Sequence, residues 1–335
     1  MARPIWDVVA TVDEPVPLVL AFVAHTLSLG PRCLHLYLDR PNPAVQDALA
    51  GVEGVKVTLC TDEYWAASAR KKRPPLHVGR QKENARQVYE ATPADWMVSI
   101  DCDEFLSSGV DLAADLAEQG PEVTFMRIPV RERVLPVGLA QGGIFDGVFR
   151  LPVPQYGQNG PKIYGDDAGF YRQGMTGHAI GKSAFRVGRG LQMCIHAPLN
   201  APQNSPQGVV GSRAFLRHFD GLTMLHYALK LLRRAREPQF KAPPRHGPAR
   251  MAQMAVMEEI ARDPAMVVQM VERVKRLTDE QAAALRAMGV LDERHFDPSA
   301  ALAGLGWAVD LSVAAFDAEL RARDAGLLEE TGLGV

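Results

Sequence analysis

The chain has 335 residues, which is enough for one large domain or for one domain with an appendage. Hydrophobic residues make up 47% of it and charged residues 23%, and both values are ordinary for a globular protein. The 37 Lys and Arg residues nearly balance 39 Asp and Glu residues, and the net charge of −2 excludes recruitment of nucleic acid by an overall positive field.

The N-terminal stretch and the cysteines bear on the cellular compartment. The stretch "MARPIWDVVATVDE" lacks the charged start and continuous apolar core of a signal peptide, and no apolar run reaches the roughly 18 residues of a transmembrane helix. Cys33, Cys60, Cys102 and Cys194 form no CxxC pair, which argues against a zinc ribbon or a disulfide framework. The sequence therefore predicts a cytoplasmic protein with reduced thiols.

Short apolar runs alternate with helix-length segments in the first part of the chain. Strands are expected at 5–12, 33–39, 54–60, 95–101 and 122–130, and helices after the first strand, from Pro43 and over 79–92. This alternation is typical of an α/β fold with a mostly parallel sheet covered by helices on both faces. Ligands of such sheets bind at the carboxyl ends of the strands, where Asp13, Asp39 and Asp101 stand.

The later part of the chain changes character twice. Residues 131–215 are rich in Gly and Pro with few helical patterns, which predicts long loops that carry function. The pattern becomes helical from about residue 221, apart from a Pro-rich interruption at 237–248. From about residue 249 onward the chain is expected to be entirely helical.

The segment "WMVSIDCDEFLSSG", residues 96–109, sets an apolar strand directly against Asp101, Asp103 and Glu104. Such crowded carboxylates repel each other unless a positive group lies between them. If the extended geometry persists, Asp101 and Asp103 point the same way and approach one cation, for which Mg²⁺ or Mn²⁺ suits the oxygen ligands. The alternative is a strand end capped by solvated acids, because D-x-D alone is a common pattern.

A basic segment, "GHAIGKSAFR" at 177–186, offers the opposite charge. Its Lys182 and Arg186 are expected in a Gly-rich loop, where backbone N–H groups approach phosphate and the lysine adds a point charge. The alternative is a mobile surface loop. On the helix at 79–92, Lys82, Asn84 and Arg86 could approach the same cleft, but a solvated helix face is the favoured interpretation for these three.

Several histidines follow at positions suited to metal or phosphate binding. His196 comes after a short apolar run, and His218 and His226 flank Asp220 just before Lys230. A histidine near the D-x-D segment could complete a metal shell or hold a phosphate. For any single one, a structural histidine that is held by hydrogen bonds is the favoured alternative.

Four segments, taken in order, resemble one family. The segment "WMVSIDCDEFL" resembles the strand and D-x-D-E-F segment of family 2-type glycosyltransferases, in the branch related to the DUF23 (family 92) enzymes. The opening "VVATVDEP", the segment "GKSAFR…CIHAP" and the helix start "LHYALKLLRR" resemble further segments of that branch. Together they cover roughly residues 5–235, and the ordered set is much more specific than D-x-D alone.

The resemblance implies a GT-A fold over residues 1–235, with a donor half at about 1–130 and an acceptor half at about 131–220. A helical extension over 249–335 would follow. The implied activity is transfer of a sugar from a nucleotide diphosphate donor to a glycan, a lipid-linked acceptor or another hydroxyl group, as in polysaccharide biosynthesis. A divalent cation, Mn²⁺ or Mg²⁺, would bridge the carboxylates and the diphosphate.

The same resemblance assigns roles at the donor site. Asp103 is expected as the primary metal ligand, Asp101 lies nearer the ribose or a metal-bound water, and His196 is a further metal ligand. Lys182 would give the diphosphate a second positive contact. The nucleoside contacts expected are Asp13, Glu14 and Asp39, and the other donor-binding residues expected are Arg186, His226 and Lys230.

Family 2-type enzymes invert at the anomeric carbon, so a carboxylate should deprotonate the acceptor hydroxyl. Asp166, Asp167 and Asp220 are the candidates for this base, with a slight preference for Asp167. No sequence signal decides among them.

Three other functions compete with this interpretation. A haloacid-dehalogenase-type phosphatase also carries D-x-D after a strand, but with Thr or Val where this chain has Phe105. A sugar nucleotidyltransferase would need a Gly-rich basic loop after the first strand, which the sequence does not show. The third alternative is a catalytically degenerate module that binds glycan or acts as a scaffold.

A basic stretch from Lys230 to Arg250 holds seven cationic residues against Glu237, a net charge of +6. Such a stretch could hold a cytoplasmic enzyme at the inner face of an anionic membrane. A solvated linker into the helical tail is at least as good an interpretation. The tail itself is expected either to pack on the core or to form a homo-oligomer.

Overall fold

A computed structural model describes residues 3–107, 109, 111–199, 206–211, 213–236 and 247–333. Up to residue 130 the elements are β1 Trp6–Val12, α1 Val16–Ser28, β2 Cys33–Leu38, α2 Pro43–Leu49, β3 Val55–Leu59, α3 Asp62–Ala67, α4 His77–Ala91, β4 Trp96–Ser99, β5 Glu104–Leu106, α5 Leu112–Ala117 and β6 Phe125–Ile128. Beyond them come β7 Val130–Pro136, β8 Val148–Arg150, α6 Tyr156–Tyr164, a 3₁₀ helix Gly165–Phe170, β9 Lys182–Arg186, β10 Gly208–Val210, β11 Leu216–His218, α7 Met224–Arg236, α8 Pro248–Ile260, α9 Pro264–Lys275, β12 Arg276–Leu277, α10 Asp279–Ala287, β13 Leu291–Asp292, α11 Ser299–Gly304, α12 Val313–Arg323 and α13 Ala325–Thr331.

The chain divides into two compact units, each built from several segments. The first unit comprises Met1–Val130, Ile180–Leu216 and Pro298–Val309. The second unit comprises Arg131–Ala179, Arg217–Asp297 and Asp310–Val335. Each unit therefore collects residues that are far apart in the sequence.

The first unit is built around a seven-stranded sheet with the order β10-β6-β9-β4-β1-β2-β3. β1 pairs in parallel with β2 and β4, and β2 pairs in parallel with β3. The predicted α/β fold with a mostly parallel sheet is thus confirmed, and with the helical C-terminal region it is consistent with a Rossmann-like GT-A fold. Each of the five strands expected up to residue 130 is present, within a few residues of its expected ends.

The apolar runs explain why this sheet forms where it does. Every residue of β1, "WDVVATV", is buried, which suits a central strand covered on both faces. α1 follows directly, and it is buried from Leu18 to Thr26, as expected of a helix that is apolar nearly all round. Asn42 begins α2 by accepting a hydrogen bond from the Val45 amide at 3.2 Å, ahead of Pro43 in the first turn.

β9 is the strand that sets the position of Lys182. It runs antiparallel to both β4 and β6, with Ser183 opposite Ser99 and Arg186 opposite Trp96. Its amino end therefore lies at the carboxyl end of β4, the edge of the sheet where β1 and β2 also end. Lys182 starts a strand and does not stand in the phosphate-binding loop that the glycines of residues 177–186 had suggested.

The second unit contains paired strands and a hydrophobic core. β7 pairs antiparallel with β8, β8 pairs antiparallel with β13, and β12 runs parallel to β7. Its core packs aromatic and aliphatic side chains of α7, α8 and α9, among them Tyr227, Met254 and Val271. Because β12 and β13 interrupt the helices, the prediction of an entirely helical chain beyond residue 249 is wrong.

The region from 131 to 215 is also more regular than expected. Besides β7, β8, β9 and β10 it contains α6, whose sequence "YGQNGPKIY" holds two glycines and Pro161. Such residues disfavour a helix in isolation, so the sequence pattern gave no sign of it. Tertiary packing supplies what propensity lacks, because Tyr164 at the end of α6 stacks on Tyr171 with ring centroids 4.2 Å apart.

The last helices of the chain pack within the second unit. Arg233 of α7 pairs with Asp324, and Arg236 pairs with Glu330 at 3.0 Å. Thr223, just before α7, also contacts Asp317 of α12, donating its hydroxyl hydrogen at 2.5 Å. The expectation that the tail packs on the core is therefore met for these helices, and homo-oligomerisation stays a prediction.

Candidate functional site

The three crowded carboxylates stand in a tight turn that follows β4, here called the acidic turn (Asp101–Glu104). The Glu104 amide donates to the Asp101 carbonyl at 3.0 Å, and the Asp101 amide donates to Glu104 Oε2 at 2.9 Å. β4 ends at Ser99, so the extended geometry assumed for Asp101 and Asp103 does not persist. The turn, and not strand alternation, brings the carboxylates together.

A positive group lies between two of these carboxylates, and it is Lys182. Its Nζ donates to Asp101 Oδ2 at 2.7 Å and lies 3.4 Å from a Glu104 carboxylate oxygen. The Lys182 side chain is only 3% exposed. Burial alone would lower the pKa of Lys182, but the carboxylates of Asp101 and Glu104 raise it above its usual value.

Asp101 is held through both of its oxygens. Gln81 donates to Oδ1 at 2.6 Å while Lys182 occupies Oδ2. Burial favours the neutral acid, but Lys182 holds the pKa of Asp101 well below its usual range against the repulsion of Asp103. Asp101 is therefore a charged, fixed carboxylate, which suits a role beside the ribose or a bound water better than sole ligation of a metal.

Glu14 approaches the acidic turn from the end of β1. Its Oε2 accepts a hydrogen bond from the Asp13 amide at 2.6 Å. Burial, reinforced by the charge of Asp103, raises the pKa of Glu14 to about 7. Asp103 itself is 7% exposed, so the carboxylate whose charge acts on Glu14 is nearly excluded from water. A carboxyl whose ionisation is disfavoured by a neighbouring carboxylate is relieved by a cation.

Asp39, at the end of β2, is enclosed by cationic side chains. Arg80 donates to both carboxylate oxygens, and Arg73 donates to Oδ1 and to the Asp39 carbonyl, each at 2.9 Å. His77 Nδ1 lies 3.5 Å from Oδ2. Burial would raise the pKa of Asp39, but hydrogen bonds from His77 and Arg80 hold it well below its usual value. Asp39 thus positions a basic group of side chains at the expected nucleoside edge.

Two residues of this edge, His77 and Gln81, were missed in the sequence. They stand four apart at the start of α4, a spacing that puts both on one helix face. Burial would lower the pKa of His77, but Asp39 raises it, followed by Glu14 and Asp101. The i, i+4 spacing was the available signal, and the neighbouring charged residues of the helix obscured it.

Asn84, one turn further along α4, is not on a solvated face as the sequence suggested. It is fully buried, donates to Thr11 at 2.9 Å and accepts from the Tyr64 hydroxyl at 2.6 Å. Arg86 does follow the solvated interpretation, because it pairs with Glu83 and Glu90 on its own helix. Asn84 therefore ties α4 to β1 and fixes where His77 and Gln81 stand.

Arg186 and His196 have different places in the first unit. Arg186 donates to the carbonyls of Val123 and Gly120 at 2.7 and 2.8 Å and stacks on Trp96, at the opposite end of β4 from the acidic turn. The expectation that Arg186 shares a phosphate site with Lys182 does not fit this placement. His196 Nδ1 donates to the Gly181 carbonyl at 2.7 Å, so any metal would have to bind its Nε2.

Asp13 of the expected nucleoside group is paired. Arg40 Nε donates to both of its carboxylate oxygens, at 2.9 and 2.8 Å, in a partly exposed position. The strand ends thus bring together Asp13, Glu14, Asp39, Asp101, Asp103 and Lys182 along one edge of the sheet.

The remaining predicted site residues belong to the second unit. Asp220 is fully buried and pairs with Arg250 at 2.7 Å and with Lys230 at 2.8 Å. His226 Nδ1 accepts from the Leu222 amide at 3.2 Å. His226 also packs on the ring of Phe316. His226 and Lys230 therefore make contacts that hold α7 in the second unit.

The three candidates for a general base differ in their surroundings. Burial would raise the pKa of Asp220, but Arg250 and Lys230 hold it far below its usual value, which makes it a weak base. Asp167 is half-buried and accepts from Arg273 Nε at 2.6 Å, while Asp166 is exposed. Its enclosure by cations therefore sets Asp220 apart from the other two candidates.

The basic stretch expected to reach a membrane is largely neutralised where the structure describes it. Lys230, Arg233, Arg236 and Arg250 each pair with a carboxylate of the second unit. Lys241 and Arg245 lie outside the described residues. Among the described helices, none has the length and apolar content that crossing a membrane requires.

The oxygen-rich donor set of the acidic turn fits a hard divalent cation. Asp103, Asp101 and Glu14 supply carboxylate oxygens of the kind that Mg²⁺ and Mn²⁺ prefer. The residues present therefore fit such an ion.

Comparisons with known proteins give a limited result. No family model matches the chain, and no curated protein matches its sequence. Among solved structures, HddC from Yersinia pseudotuberculosis is 11% identical with a TM-score of 0.28, over 64% of this chain and 77% of its own. A structure of S. aureus TarS 1-349 is 12% identical with a TM-score of 0.37, over 81% of this chain and 82% of its own.

A second S. aureus TarS structure is 11% identical with a TM-score of 0.33, and the match covers 76% of this chain and 43% of that one. These likenesses are too distant to carry weight for function. What the protein does is therefore inferred from the acidic turn and its neighbours.

Proposed function

We propose that this protein is a glycosyltransferase that takes a sugar from a nucleotide diphosphate donor and transfers it with inversion. The observation that carries the proposal is the meeting of Asp101, Asp103, Glu14 and Lys182 at the carboxyl edge of a mostly parallel sheet. This edge is where sheets of this type bind their ligands. The resemblance to family 2-type enzymes, in the branch related to DUF23, agrees with this position.

In the proposed site each residue has a distinct task. Asp103, aided by Glu14, would hold a divalent cation, and that cation would supply Lewis-acid stabilisation of the leaving diphosphate. Asp101, fixed by Gln81 and Lys182, orients the ribose or a bound water. The basic group formed by Arg73, Arg80 and His77 around Asp39 would border the nucleoside.

The acceptor is proposed only by its chemical class. Residues of about 131–220 are proposed to bind a glycan or a lipid-linked hydroxyl acceptor, with Asp167 as the base that deprotonates it. An Asp167→Asn variant with near-normal turnover would remove Asp167 from this role, and Asp166→Asn is the matched comparison on the same 3₁₀ helix.

Calorimetry with a panel of nucleoside diphosphates and nucleotide sugars tests the proposal directly. Each ligand is titrated into the intact protein with Mn²⁺ and again with EDTA. Metal-dependent binding of one nucleotide, followed by detection of donor hydrolysis or transfer, supports a transferase. If no member binds while the protein remains folded, a non-catalytic module is the better account of this fold.

A further inference from the structure

The ammonium group of Lys182 contacts two carboxylates of the acidic turn. It contacts Asp101 at 2.7 Å and Glu104 at 3.4 Å, and it is nearly excluded from water. At such distances, and away from solvent, one positive charge stabilises a carboxylate by a substantial amount. Lys182 is therefore the resident counter-ion of this turn.

Lys182 contacts two of the acidic side chains at the turn. Asp101, Asp103 and Glu104 bring three carboxylates to the turn, and Glu14 approaches it as a fourth acidic side chain. The charge of Lys182 would reduce the attraction of this turn for a further cation.

A diphosphate at this edge would offer Lys182 a different partner. Phosphate oxygens and the Asp101 carboxylate are both strong acceptors for an ammonium group. If the lysine contacts the phosphate, the charge of Asp101 is no longer fully compensated. The binding of nucleotide and cation is then linked through one side chain, and such linkage is reciprocal.

We infer that Lys182 couples the two ligands: its ion pair with Asp101 weakens cation binding in the nucleotide-free protein, and transfer of Lys182 from Asp101 to the diphosphate of a bound nucleotide strengthens it. This inference rests on the proposed function, since it needs both ligands at the acidic turn. It assigns Lys182 a coupling role in addition to contact with the phosphate. The expected binding order places tight cation binding after, or together with, the nucleotide.

Mn²⁺ binding to the protein alone tests this inference, with no turnover required. Wild type, Lys182→Met and the matched control Lys56→Met are titrated with MnCl₂, first alone and then with a saturating nucleoside diphosphate. Lys56 is an exposed lysine of β3 in the same sheet, so its replacement removes the same charge away from the turn. We expect Lys182→Met to bind Mn²⁺ alone about tenfold or more tightly than wild type, because a competing charge at about 4 Å is gone.

The nucleotide should then enhance Mn²⁺ binding less in Lys182→Met than in wild type, while Lys56→Met behaves as wild type. Because Lys182→Met leaves Asp101 with one polar partner fewer, Lys182→Gln is measured in parallel; its amide keeps a donor for Asp101 without the charge. Melting curves identify which variants are folded.

Three results overturn the inference, and they are distinguishable. Wild type that binds Mn²⁺ with nucleotide, together with folded Lys182 variants whose affinity for Mn²⁺ alone is unchanged or weaker, removes the coupling role and leaves the proposed function standing. Wild type that binds no Mn²⁺ with any nucleoside diphosphate removes both. Equal affinity of wild type for Mn²⁺ with and without a bound nucleotide also contradicts the coupling, whatever the variants do.

Discussion

Two groups of charged side chains, one in each unit, show how differently a protein can bury acids. In the acidic turn of the first unit, the single ammonium group of Lys182 serves two acids, Asp101 and Glu104. The buried charge network of the second unit has the reverse balance. Its members are the acids Glu132 and Asp220 and the bases Arg150, Lys230, Arg250 and Lys275.

Glu132, a member of the buried charge network, is fully engaged in hydrogen bonds. Glu132 accepts from Arg150 at 2.7 Å, from the amide and hydroxyl of Thr176 at 2.8 and 2.9 Å, and from the Gly177 amide at 2.6 Å. A Cβ on Gly177 would lie 2.8 Å from Glu132 Oε2, so the glycine permits this close approach. Such a fully engaged acid stabilises the fold, whereas acids that share one ammonium group can also bind a ligand.

The largest effect that would test this contrast is expected from Glu132→Ala. Removing Glu132 leaves Arg150 buried without its carboxylate, and breaking a buried pair in this way costs about 3–5 kcal/mol of unfolding free energy. Urea denaturation of the variant and wild type measures the loss. Glu293→Ala is the control, because the Glu293–Arg286 pair is exposed and should matter by less than about 1 kcal/mol. A loss in Glu132→Ala no larger than the control would contradict a structural role.

Asp103→Asn should leave folding nearly intact and act on ligand binding. With the carboxylate charge gone, metal-dependent binding of the nucleotide is expected to weaken by about a hundredfold, as for loss of one of few hard-cation ligands. Titration calorimetry with Mn²⁺ and with EDTA checks this. The matched control is Asp47→Asn, an exposed aspartate of α2 in the same unit. Unchanged metal dependence in Asp103→Asn would show that Asp103 is no ligand.

Lys275 makes the stability of the protein depend on pH. Burial lowers its pKa from 10.5 to about 7, although Glu132 and Asp220 act in the opposite direction and Arg150 adds to the lowering. Between these two pH values the folded protein binds fewer protons than the unfolded chain, so stability should rise with pH. The slope is at most about 1.4 kcal/mol per pH unit. Urea midpoints measured from pH 7 to 10 test this, and Lys275→Met should lose the rise; an identical slope in that variant would exclude Lys275 as its source.

The smallest effect is expected at the surface of the second unit. Arg236 pairs with Glu330, and both side chains are well exposed, so Arg236→Ala should change the unfolding free energy by less than about 1 kcal/mol. Thermal melts at low and at high salt compare it with wild type. A shift as large as that of Glu132→Ala would mean that exposure does not separate the two kinds of ion pair. Liposome cosedimentation of the same variant reports whether this arginine contributes to any membrane contact.

Much of the first unit could be predicted from the sequence because its signals are local. Continuous apolar runs define β1 to β4 and β6, and acids placed just after these strands mark the ligand-binding edge of a parallel sheet. α6 was missed because its glycines and Pro161 oppose a helix, and β12 and β13 are too short for any periodicity. In each of these, contacts distant in the sequence outweigh local preference.

The site shows the same division between local and distant information. That Asp101, Asp103 and Glu104 are crowded, and that a positive group must compensate them, follows from the sequence alone, because like charges one or two residues apart cannot avoid each other. Which group compensates them was decided by the sheet: an antiparallel β9 between β4 and β6 brings Lys182, 81 residues away from Asp101, to the turn and carries Arg186 to the far end. Strand order and direction are properties of the assembled sheet, and no spacing in the chain encodes them.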